Sequence, residues 1–64
     1  MYKAVARRHD GTLLHESEHD SLNDASEALA GEFRLNIREQ QFLTSSWNLQ
    51  YETEHFILSI ERPE

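Results

Sequence analysis

Apolar and polar residues alternate in the first and last thirds of this chain and recur every three or four residues between them. That pattern predicts strands on either side of a helix. Tyr2 to Arg8 and Thr12 to Glu18 flank Asp10-Gly11, a dipeptide that favours a tight type I′ turn. A two-residue loop sets Tyr2, Ala4, Ala6 and Arg8 opposite His19, Ser17, His15 and Leu13 on one face. The other face then pairs Lys3 with Glu18, Val5 with Glu16 and Arg7 with Leu14. Opposite charges at Lys3 and Glu18 support this register by about 0.2–1 kcal/mol. A three-residue loop with a glycine bulge is the alternative, and it moves the pairing by one residue.

Ser21-Leu22-Asn23-Asp24 has the form of a capping box, with a hydroxyl at the N-cap and an acid three residues on. Asp24 and Glu27 also suit the positive end of a helix. Leu22, Ala25, Leu29 and Phe33 follow at helical spacing, which predicts a helix over Ser21 to Arg34 with a narrow apolar stripe. Ala28 and Gly31 are small enough to let that helix approach a sheet. Between Leu35 and Ser46 two readings compete. Asn36-Ile37-Arg38-Glu39 forms a second capping box that would open a short helix through Leu43, or the segment is a loop into an early strand.

The last third reads as a second hairpin. Facing Tyr51 with Phe56 brings Leu49 against Leu58 and Trp47 against Ile60, while Gln50 meets Ile57 and Asn48 meets Ser59 on the other face. Glu52-Thr53-Glu54-His55 contains no glycine, so a four-residue loop is expected, and Pro63 ends the strand. The whole is one α+β domain over 1–64, in the order ββ-α-ββ, with the main helix on one face of an antiparallel sheet. Its expected core is Tyr2, Ala4, Ala6, Leu13, Leu22, Ala25, Leu29, Phe33, Trp47, Leu49, Tyr51, Phe56, Leu58 and Ile60. Strand order is not readable from the pattern.

Composition narrows the function. At 64 residues the chain is near the lower limit for a self-supporting core, and without cysteine it has no disulfide or thiolate metal staple. Self-association to a homodimer is the remaining common staple. No apolar run has signal-peptide or membrane-spanning length, so a cytoplasmic protein without membrane contact is expected. The net charge is −6, and it is unevenly spread. Asp10, Glu16, Glu18, Asp20, Asp24, Glu27 and Glu32 lie between His9 and Phe33 with no Lys or Arg among them. Such a field repels nucleic acid and attracts basic surfaces.

Candidate chemistry is sparse. His15 and His19 have the four-residue spacing that places two imidazoles on one face of a zinc-binding helix. In a strand the same spacing separates them by roughly 13 Å, too far to share an ion. There is no cysteine nucleophile, phosphate loop or nucleophile elbow, so neither catalysis nor a cofactor is expected. A helix-backed sheet can stack RNA bases, but the aromatic residues here fall on the covered face and no basic stripe accompanies them. The expected function is that of a small non-catalytic interaction domain, a regulator, inhibitor or accessory subunit for a partner with a basic surface. Asp20, Asp24, Glu27 and Glu32 are its candidate contacts, with an outer-face apolar group of Val5, Leu14 and Ile57. The alternatives are metal binding through His15 and His19, and mimicry of DNA charge in a basic groove. Small phage and mobile-element proteins that bind host machinery share this element order, an analogy at the level of fold alone.

Overall fold

The computed structural model describes residues 1–45 and 50–61. In chain order the elements are β1 (Tyr2–Arg7), β2 (Leu13–His19), α1 (Leu22–Phe33), α2 (Ile37–Ser45), β3 (Tyr51–Glu52) and β4 (Ile57–Glu61). The four strands form one antiparallel sheet in the order β2-β1-β4-β3. Both helices contribute to a core on the same sheet face, where Ala25, Leu29 and Leu43 pack with Ala4, Ala6, Leu58 and Ile60. The fold is α+β, with two hairpins and a helical layer.

The first hairpin follows the expected register from Tyr2–His19 to Ala6–His15, then departs from it. Arg8 donates its N–H to the Thr12 carbonyl at 2.8 Å, and Gly11 donates to the Arg8 carbonyl at 2.9 Å. The loop therefore has three residues, with Gly11 at φ 96°, a value that L side chains rarely adopt. Asp10 Oδ1 accepts the Thr12 N–H at 2.9 Å, a bond that holds its carboxyl below the usual range. Arg7 pairs with Leu13 rather than Leu14, and the irregularity between Ala6 and Arg7 restores the long register. The loop is thus the three-residue alternative, while the pairing beyond the irregularity keeps the register expected of a two-residue loop. Leu13 is displaced by this bulge and is 47% exposed, so it leaves the expected core.

The second hairpin is offset by two residues from its expected pairing. Tyr51 faces Leu58 and Glu52 faces Ile57, not Tyr51 with Phe56 or Gln50 with Ile57. An even offset keeps every side chain on its intended face, so Leu58 and Ile60 are still fully buried. The offset comes from the turn. Thr53 donates its N–H to the Phe56 carbonyl at 2.8 Å, and its Oγ1 accepts the N–H groups of His55 and Phe56. The threonine hydroxyl closes this turn by accepting backbone N–H groups, so no positive-φ glycine is needed. Trp47, Asn48, Leu49 and Pro63 lie outside the described residues.

Helix α1 starts where the capping residues place it, with Ser21 Oγ accepting the Asp24 N–H at 3.1 Å. It stops at Arg34, which takes the left-handed conformation (φ 54°, ψ 48°) and donates its N–H to the Ala30 carbonyl. Its buried face holds Ala25, Ser26 and Leu29, with Leu22 and Phe33 half-buried beside them. Gly31 is exposed with open space around it, so Ala25, Ala4 and Ala6 provide the close helix–sheet approach instead. Helix α2 resolves the ambiguous segment in favour of the capping box. Asn36 Oδ1 accepts the Glu39 N–H at 2.9 Å, and Glu39 Oε1 accepts the Asn36 N–H at 3.0 Å. Its Leu43, absent from the expected core, is 1% exposed.

Candidate functional site

Asp20 closes the turn between β2 and α1, and Asp24, Glu27 and Glu32 are carried by α1. All four are exposed. Asp24 and Glu27 lie about one turn apart on the solvent side, and Glu32 falls in the last turn. Their electrostatic settings differ. Asp24 complements the N-terminal end of the helix dipole, whereas Glu32 stands near the negative end with no basic residue in that turn. Lys3 Nζ and Glu16 Oε1, at 3.7 Å, form the one ion pair among the described residues. Both side chains are substantially exposed, so the pair contributes little to stability. It is diagonal, although Lys3 sits opposite Glu18 in the ladder as expected.

The outer-face group is only partly as anticipated. The registers put Val5 and Ile57 on adjacent strands of the uncovered face, with Arg7 between Ile57 and the bulge at Leu14. Val5, flanked by Glu16 and Ser59, is only 4% exposed and cannot present a contact surface of its own. Leu14 is 39% exposed and Ile57 half-buried.

His15 and His19 project to the helix-covered side of β2, and Ser17 brings them together. Ser17 Oγ is 2.9 Å from His15 Nε2 and 2.6 Å from His19 Nε2. The rings lean inward along the strand, so they are far closer than the 13 Å that backbone spacing implies. One hydroxyl can donate to one ring while accepting from the other, so the three side chains satisfy one another. The His15 ring also meets Phe33 edge to face, with centroids 6.4 Å apart. Two imidazoles and a hydroxyl are too few for a closed zinc site. No group of three or more His, Asp or Glu side chains is placed to hold an ion among the described residues.

Sequence reasoning missed a link between α2 and β3. Tyr51 Oη donates to Glu39 Oε2 at 2.7 Å, so the Glu39 carboxylate serves the helix cap and the sheet together. The Asn36 N–H and the Tyr51 hydroxyl hold Glu39 below the usual carboxylate range, and the Glu39 carboxylate pushes Tyr51 up. The Glu39 contribution to stability is therefore complete above its unfolded value near 4.5 and is lost as pH falls through the lower folded value. That of Tyr51 is complete below 10 and is lost as pH rises through the higher folded value. Tyr51→Phe should flatten the alkaline limb of the stability–pH curve measured by urea denaturation and reduce the acid limb only in part, because the Asn36 N–H still holds Glu39. An alkaline limb as steep as that of the unsubstituted chain would show that the bond does not form.

No pocket is found, and no helix is long and apolar enough to cross a membrane, among the described residues. The chain matches no family model, no curated protein and no solved structure.

Proposed function

We propose that this is a small acidic protein-interaction domain that acts by occupying a basic surface of a partner, without chemistry of its own. The observation that carries the proposal is the placement of the acid-only stretch. Asp20, Asp24, Glu27 and Glu32 are exposed and have no ion-pair partner among the described residues. Local stability accounts for Asp24 at the start of α1. It does not account for Glu32, which stands at the negative end of the helix dipole. Acids kept where they do not help the fold support a role outside it.

The role fits a regulator, inhibitor or accessory subunit, and the element order is compatible with a host-directed phage or mobile-element protein. The test is capture of a partner by the immobilised chain from its source lysate. Capture should fall steeply between about 50 and 500 mM salt, roughly a threefold change in Debye length. It should fall similarly when Asp20→Asn, Asp24→Asn, Glu27→Gln and Glu32→Gln are combined. A partner held equally well at both salt concentrations and by the neutralised variant would sink the reading.

A further inference from the structure

The sheet order leaves β2 paired on one side only, and along its other side no described residue forms a ladder. Leu13–His19 is the longest strand of the sheet, so its free side is a substantial template. Every second residue of an antiparallel edge strand directs its N–H and C=O outward, ready to bond another chain. Such edges are commonly blunted by lysine, proline or a covering element. Here β2 contains neither lysine nor proline, and its bulge is confined to the Leu13–Leu14 end.

The side chains along this edge are selective. Glu16 and Glu18 stand at alternate positions on the uncovered sheet face, both exposed, with the exposed Leu14 next in the same direction. On the opposite face His15, Ser17 and His19 are occupied with one another. A second copy is a poor occupant. Antiparallel self-pairing that uses most of the strand sets glutamates against or diagonal to glutamates, and like charges across strands are destabilising.

We infer that the free edge of β2 takes up an extended segment of a partner protein as an added strand. The segment carries two basic residues at alternate positions, facing Glu16 and Glu18, and an apolar residue two positions further along to meet Leu14. Main-chain bonds to β2 supply affinity, and the alternate side chains supply specificity. The inference deepens the interaction reading above and rests on it.

Three short synthetic peptides test it against the isotope-labelled full chain. One alternates lysine with threonine and ends in valine, one has glutamate for lysine, and one is the lysine peptide N-methylated at alternate backbone nitrogens. The lysine peptide should slow amide exchange along Leu13–His19 by about tenfold or more at saturation, and the other two should not. Glu16→Lys combined with Glu18→Lys should weaken it by about tenfold with the circular dichroism unchanged. Equal binding of the N-methylated peptide would overturn the added strand while leaving an acidic contact surface intact. Sedimentation as a dimer whose β2 amides are already protected would also overturn it. So would failure of the lysine peptide to bind while salt-sensitive capture from lysate persists.

Discussion

Leu29→Ala should remove a large share of the stability of the chain at room temperature. Leu29 is fully buried on α1, above the alanines of β1 and beside Leu58 and Ile60. Removing a buried leucine side chain costs about 2–5 kcal/mol, and the cost rises with the cavity left behind. Its neighbours Ala4, Ala6 and Ala25 are too short to fill that cavity, which places the cost in the upper part of the range. At about 0.05–0.15 kcal/mol per residue, a domain of this length has only about 3–10 kcal/mol in total. No disulfide supplements it. Circular dichroism in a urea titration reads the result directly. Leu14→Ala, at a 39% exposed position, serves as the control and should move stability by no more than about 0.5 kcal/mol. A Leu29→Ala loss under about 1 kcal/mol would mean that α1 is not seated on the sheet as described.

The converse change, Ala6→Leu, should also destabilise strongly. Ala6 is fully buried in a central strand, opposite His15 on one side and Leu58 on the other. The small side chains of β1 set the distance between helix and sheet, and a longer one there forces α1 outward. Overpacking of this kind costs about 1–3 kcal/mol. The register offers a compensating change, because Leu58 is the direct cross-strand neighbour of Ala6. Adding Leu58→Ala to Ala6→Leu should cost less than the two single changes together, since the pair exchanges volume across one contact. Strict additivity would show that the two side chains do not share the same space.

Much of this architecture is legible in the residues because local chemistry and global packing agree. Asp10-Gly11 marks a reversal, Ser21 and Asn36 mark helix starts, and the alternating apolar residues of β1 and β4 mark one buried face. The departures each have a physical cause. Leu13 is thrown outward by a bulge that depends on the loop form adopted at Gly11. The second hairpin moves by two because the Thr53 hydroxyl makes a turn that glycine content alone does not reveal. Leu43 was hidden by the ambiguity of its segment. The meeting of His15 and His19 at Ser17 was missed because side chains on a strand can lean along it, which Cα spacing ignores. The acidic residues are legible as charge, but exposure alone does not name what they touch.

The position of β4 has a kinetic consequence. It lies between β1 and β3, so the sheet closes by joining a strand from the start of the described chain to one from its end, with Lys3 opposite Glu61. The first hairpin and both helices assemble from contacts close in sequence, whereas this pairing must bring together residues 50 to 58 positions apart. Until it forms, β1 is paired with β2 alone, and Ala4 and Ala6 lack Leu58 and Ile60 among the neighbours that bury them. Topology therefore makes the arrival of β4 the expected slow event in folding. A nascent chain that has not yet produced residues 57–61 exposes the apolar edge that the finished sheet conceals.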